Sequence, residues 1–415
     1  MAKHKMGFNA TWSMAVGGMV GGGIFSVLGV VISTAAEWAW LSFVIAGAIA
    51  LISAHSYSAL SIKYGEGGGA FTFLREIDRD GWAGTVSWLL FLGYILTISV
   101  YAYTFGHYAA NAFSTADWLA PALGIAIIAA LVGVNLRGVG SSAGFEIVAV
   151  WFKLAVLVGL AAFGLATWDT GELTEGLDPQ PWTAAIVGAA MIFIAYEGFQ
   201  LLAYDYGDLK KPDKTLPKAT LIAVVSVIVI YIIVTLGTTM LVGAEKLVEK
   251  KEVALAIAGQ QALGNIGLYI VTAAAAFSTG SAINATLFST ARLMENVAED
   301  GDLPKFFGRE NKEKVPYYSI LIVAAVAAGL SVIGSLTSLV NAASLIFLFT
   351  FGTVNYLAFR QRVSLAWVSL LGAAGCAGAI VISAIDQIEH DPVVLSVMVG
   401  VILLVIGGRW WYARS

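Results

Sequence analysis

Apolar runs long enough to cross a bilayer recur along almost the whole chain, and they decide what solvent it folds in. A helix rises about 1.5 Å per residue, so about 20 apolar residues span the hydrocarbon core. By that measure the 415 residues hold twelve candidate spans, at roughly 10–33, 37–62, 83–113, 117–135, 141–167, 182–205, 216–243, 263–292, 316–334, 336–359, 364–385 and 393–411. Breakers separate them: Asp178-Pro179-Gln180-Pro181, Lys211-Pro212-Asp213, Gly301-Asp302-Leu303-Pro304 and Asp391-Pro392.

Composition agrees. Hydrophobic residues make up 59% and charged residues 12% of the chain, against about a quarter charged in a soluble domain. No polar stretch is long enough for a separate soluble domain, so an all-α, multi-pass membrane protein is expected, with the lipid bilayer as its surroundings. The net charge of -4 gives no basic surface for nucleic acid. The lone cysteine, Cys376, can form no internal disulfide. The basic start, MAKHKMGFNATW, precedes an apolar run that lacks a small-residue cleavage site after it. That run reads as a retained first helix, not a signal peptide.

The positive charges orient the spans. With a cytoplasmic N-terminus, 19 of the 23 Lys and Arg residues fall inside, only Lys246, Lys250 and Lys251 fall outside, and Lys153 lies within a span. One external loop is acidic, carrying Asp169, Glu172, Glu175 and Asp178. A miscount by one helix would scramble this partition, so it predicts an inner-membrane protein with both termini cytoplasmic.

Two spans carry unusual interiors. The first contains VGGMVGGGIF, residues 16–25, with Gly17, Gly18, Gly21, Gly22 and Gly23. Each glycine costs up to about 1 kcal/mol relative to alanine inside a helix. Close helix packing explains the two GxxxG pairs, but three consecutive glycines exceed what packing needs and predict a broken helix. A nucleotide-binding loop is excluded, because no strand precedes the motif. The sixth span contains FIAYEGFQ, residues 193–200, with Glu197 and Gly198 amid apolar sequence. A carboxylate at membrane depth costs a few kcal/mol or more unless it faces a cavity or partner. Paired interruptions in corresponding positions of two halves point to a transporter binding site. Freed N–H groups at a half-helix start suit a carboxylate and freed carbonyls suit an ammonium, the two ends of a zwitterion.

Four segments carry a family resemblance: VGGMVGGGIF at 16–25, YGEGGGAFTFLRE at 64–76, FIAYEGFQLLAYDYGDLKKPDKTLPKA at 193–219 and NATLFSTARLMENVAEDGDLP at 284–304. In order and spacing the chain resembles the amino acid–polyamine–organocation superfamily of permeases. The resemblance implies twelve transmembrane helices with a five-plus-five inverted repeat, as in the bacterial leucine transporter, and breaks in helices one and six. The transport core would be 1–362, with repeats at about 10–167 and 182–362, and 363–415 would add two C-terminal helices.

Residue by residue, the resemblance implies that the amides of Gly22 and Gly23 hold a substrate carboxylate. The amino group would meet carbonyls of Gly18, Ile194 and Glu197, with Met19 and Gly198 beside them. Ile194 stands at an aromatic gate position, so Phe193 or Tyr196 would serve as the gate. Gln200 occupies a position often acidic in the family, and Tyr64-Gly65 replaces its usual Tyr-Pro. Tyr101 and Thr104 on the third span either reach the substrate or pack.

Lys153 sits mid-span in EIVAVWFKLAVLVGLAAFG, at least a turn from either polar end. Snorkelling is the bland reading, and the central position opposes it. The resemblance implies a lysine standing where sodium-coupled relatives bind sodium between helices one and eight. It would bridge carbonyls near Met19 and the hydroxyls of Ser278 or Ser281, so that a proton does the work of sodium. His55 and His107 read as packing residues, Glu146 lies near a helix end, and the Glu197 side chain either stays passive or attracts a cation.

The four histidines show no metal-ligand spacing and no hydrolytic triad is present, so no catalytic site, metal or cofactor is expected. A channel would need a filter or a charged pore, which paired broken helices do not supply. The reading is a proton-coupled secondary transporter of amino acids or related amines. The alternative is an exchanger or sodium-coupled transporter of polyamines or cationic amino acids.

Overall fold

The computed structural model describes residues 5–65, 67, 69–77, 82–113, 116–138, 143–204, 206–390 and 392–412, leaving aside the side chains of 143–146 and 393–394. Lys3, Glu66, Gly68, Arg79, Asp205, Asp391, Arg414 and the Glu146 side chain, all used above, lie outside the described residues.

The described residues are mainly helical. The helices are α1 (Phe8–Ala35), α2 (Ala39–Tyr64), α3 (Gly69–Ile77), α4 (Trp82–Phe113), α5 (Leu119–Leu136), α6 (Ala143–Thr167), α7 (Ala184–Met191) and α8 (Leu201–Tyr204). They continue with α9 (Pro212–Val242), α10 (Ala244–Glu249), α11 (Ala254–Glu299), α12 (Tyr317–Ile333), α13 (Leu336–Arg360), α14 (Ala366–His390) and α15 (Pro392–Tyr412). A 3-10 segment, Phe193–Gln200, joins α7 to α8. Among the described residues no strand forms beyond two isolated bridges. Nine helical stretches there are long and apolar enough to cross a membrane, or ten if the bent α7–α8 pair counts as one.

Burial sorts the helices into layers. α1 is buried at nearly every position from Met19 to Ile32, as expected of a helix apolar all round. It packs against α9, the 3-10 segment, α11 and α6. α5 and α15 present most of their length outward, and exposed Leu403, Leu404 and Trp411 suit contact with lipid.

Of the two breaks expected, one needs correction. The sixth span is broken, bending by 44° between Ala184–Met191 and Phe193–Tyr204. The first is not: α1 is a single helix from Phe8 to Ala35. Its glycines serve close approach instead. A Cβ on Gly17 would lie 2.9 Å from Val150, one on Gly21 2.9 Å from Ala282, and one on Gly23 2.5 Å from the Tyr231 hydroxyl. A second break falls where none was expected, inside α11 at Leu263 and Gly264, the latter with φ 61°. That conformation favours glycine, and it separates a short stretch, buried from Ala254 to Gly259, from the long helix that follows.

Candidate substrate and coupling site

The site forms where α1 crosses the 3-10 segment. Gly18 and Gly198 let the two backbones meet, since a Cβ on Gly18 would lie 3.0 Å from the Gly198 carbonyl oxygen. Small residues permit this approach in membrane helices.

Carbonyls on α1 then receive donors from three neighbouring helices. Lys153 Nζ of α6 donates to Gly17 O at 2.9 Å. Tyr231 Oη of α9 lies 2.8 Å from Met19 O and 3.1 Å from Ala195 O, placing one hydroxyl between α1 and the 3-10 segment. Ser278 Oγ of α11 donates to Val20 O at 2.9 Å. Each bond satisfies a polar group that would be costly unpaired in the apolar interior.

Lys153 is 3% exposed, so it does not snorkel. Its ammonium meets the carbonyl of Gly17, two residues before Met19. Ser278 and Ser281 line the same cavity of about 70 Å³, together with Gly17, Gly18 and Lys153. The predicted coupling residues therefore converge, with the Ser278 hydroxyl spent on α1.

The other predicted residues spread around the crossing. The Tyr101 ring covers Gly22, where a Cβ would overlap it, and the Tyr101 hydroxyl is buried without a partner. Thr104 bonds Ser26 at 2.8 Å, which ties α4 to α1. Gly23 faces Tyr231 and Ala195. Phe193 packs edge-on against Phe351 of α13 at 5.4 Å. Tyr196 donates to Phe43 O of α2 at 2.8 Å. Ile194 is buried, and its N–H donates to Ser344 Oγ at 3.0 Å.

Glu197 is 1% exposed. Its carboxylate accepts from Gln200 Nε2 at 3.2 Å, and Gln200 Oε1 accepts from Tyr57 Oη at 3.1 Å. No cation pairs with it among the described residues. A buried carboxylate in that setting is stabilised by a proton or by an incoming cation. His55 and His107 bond the backbone carbonyls of Ser364 and Tyr103, as packing residues do.

Sequence reasoning missed Tyr231 and Ser344. A tyrosine inside the apolar run IVIYIIV was a usable signal, because a buried hydroxyl needs a partner. A serine in a membrane helix carries no such signal, since serines pack there routinely.

A crossing built on glycine contacts, beside a bent span and a buried lysine, has the form of a membrane permease. The family profile described as Amino acid permease matches residues 6–408, and the chain belongs to that family. It is 31% identical over 307 residues to Uncharacterized protein MJ0609 of Methanocaldococcus jannaschii, covering 72% of this chain and 69% of that protein. It is 29% identical over 358 residues to Inner membrane transport protein YbaT of Escherichia coli, covering 84% and 82%. It is 26% identical over 311 residues to Serine/threonine exchanger SteT of Bacillus subtilis, covering 73% and 70%. The family is one of amino acid permeases, and the relatives named for an activity are transporters, which points to a transporter and not to an enzyme.

Proposed function

We propose that this protein takes up amino acids by alternating access, driven by protons, through twelve crossings arranged as two inverted repeats with both termini cytoplasmic. The observation that carries the coupling is the buried Lys153 ammonium, 2.9 Å from the Gly17 carbonyl of α1. Charged, Lys153 ties α6 to α1 next to the Ser278–Val20 bond from α11. Neutral, it can no longer donate as a cation, and the attraction to the carbonyl dipole falls. Release of the proton toward the cytoplasm loosens α1 and lets the site open inward. The substrate carboxylate is assigned to the Gly22 and Gly23 amides, which requires the Tyr101 ring to move and α1 to open locally. The ammonium is assigned to carbonyls of α1 and of Ile194 and Glu197.

Proteoliposome uptake of radiolabelled amino acids tests this reading. Uptake is expected to rise with an inward proton gradient and to be unchanged when sodium is replaced by choline. Uptake that requires sodium overturns the coupling assignment.

A second reading, exchange of amino acids or cationic amines, draws on Glu197, which is buried without a cation beside it, and on the relative named as an exchanger. Efflux that depends on external substrate would favour it.

A further inference from the structure

We propose that Ser344 of α13 is a positioning residue that holds the break of the sixth span in its working geometry. The break is local and its bonding is specific. In a continuous helix the Ala195 N–H would bond Met191 O, four residues back. Here the Ala195 N–H turns to Ile192 O at 2.9 Å, which releases the Met191 carbonyl. Ile192 N still bonds Gly188 O at 3.0 Å, so α7 is intact up to that point.

One hydroxyl closes the gap. Ser344 Oγ donates to Met191 O at 2.6 Å and accepts from Ile194 N at 3.0 Å. Ser344 is fully buried, Ile194 is 2% exposed and Met191 8%, so bulk water does not substitute. A serine hydroxyl carries one donor and two acceptor lone pairs, enough for both bonds from a single atom. Alanine can make neither bond, cysteine makes both weakly, and threonine keeps them at the cost of a methyl group.

The residues that follow the latch are the ones that face α1. Ala195 O meets Tyr231 and lies 3.1 Å from where a Cβ on Gly23 would sit, and Gly198 touches Gly18. Ser344 thus sets the angle at which the 3-10 segment presents its carbonyls to the crossing. Because α13 supplies the hydroxyl, movement of α13 relative to α7 must stretch or break this pair of bonds. The effect on affinity rests on the substrate reading given above, whereas the effect on the backbone does not.

The test compares the full-length protein in detergent as wild type, Ser344→Ala, Ser344→Thr and Ser344→Cys. Hydrogen exchange is read by fragmentation mass spectrometry. Ser344→Ala is expected to speed exchange of the Ile194 amide at least tenfold while α1 and α9 stay unchanged. Ser344→Cys should give an intermediate increase and Ser344→Thr less than a twofold one. If Ser344→Ala is not recovered folded, Ser344→Cys carries the same test.

An equimolar mixture of the twenty proteinogenic amino acids then serves as the binding probe in thermal-shift titrations. Ser344→Ala should need at least ten times more mixture than wild type for the same shift, and Ser344→Thr less than twice as much. Unchanged exchange at Ile194 in both the alanine and cysteine variants overturns the proposal. So does an increase spread evenly over the chain, or an unaltered titration in Ser344→Ala. A wild type that responds to no amino acid overturns the substrate reading, and the exchange experiment then still decides the role of Ser344.

Discussion

Gly18 and Gly198 face each other backbone to backbone. A Cβ on Gly198 would lie 2.5 Å from the Met19 nitrogen and overlap the Gly18 carbonyl carbon, and one on Gly18 would meet the Gly198 carbonyl oxygen at 3.0 Å. Neither can yield cheaply, because the atoms that each added Cβ would meet belong to the backbone of the other segment.

Gly198→Ala should therefore cost about 1–3 kcal/mol through overpacking and reduce uptake more than tenfold. Gly207→Ala is the control, since nothing lies within 4 Å of its added Cβ. Thermal unfolding and proteoliposome uptake measure both. Equal behaviour of the two variants would show that the crossing tolerates a methyl group.

Lys153→Ala removes the ammonium that donates to Gly17 O. The expected outcome is a protein whose uptake no longer responds to the proton gradient, with counterflow exchange retained in part. A Lys153→Ala protein with full proton dependence would remove this residue from the coupling mechanism.

Gly22→Val places a branched Cβ where the Tyr101 ring lies. We expect loss of amino acid binding with a folded protein in detergent, read as the disappearance of the ligand-induced thermal shift. Near-normal transport by this variant would move the carboxylate site elsewhere.

At the cytoplasmic edge assigned by charge, Arg409 of α15 donates to Asp302 at 2.9 Å with side chains 7% and 30% exposed. Trp88 Nε1 and Tyr412 Oη bond the Asp302 and Leu303 carbonyls beside it. Breaking a fully buried pair costs about 3–5 kcal/mol, and the exposure of Asp302 lowers the expected loss to about 1–3 kcal/mol. Arg409→Ala should lower the unfolding temperature by a few degrees, with partial recovery in Arg409→Lys. No change in unfolding would mean that α15 is held by its apolar contacts alone.

Single cysteines at Asp178 and Lys250 should react with an impermeant reagent added to intact cells, whereas those at Lys214 and Lys312 should not. All four positions are exposed, so failure to label reflects sidedness. The reverse pattern would invert the orientation drawn from the charge partition.

Much of the architecture was legible in residue types alone. Run length and the spacing of Pro, Gly and charged residues located the helices, because a membrane segment must satisfy its own backbone within about 20 residues. α4, predicted at 83–113, is Trp82–Phe113, and α12, predicted at 316–334, is Tyr317–Ile333. The bend at FIAYEGFQ and the burial of Lys153 were readable for the same reason: a polar group in an apolar run demands a partner. The glycine cluster was not decidable at that level. Glycine weakens a helix and also lets another backbone approach it, and only the positions of Gly198, Tyr101, Ala282 and Tyr231 around α1 select the second use. Tertiary structure alone paired Lys153 with Gly17, set one Tyr231 hydroxyl between Met19 and Ala195, and brought Ser344 to the break from 150 residues away. Such partners lie far apart in the chain and share no spacing rule, so their meeting is fixed by helix packing and by nothing local in the sequence.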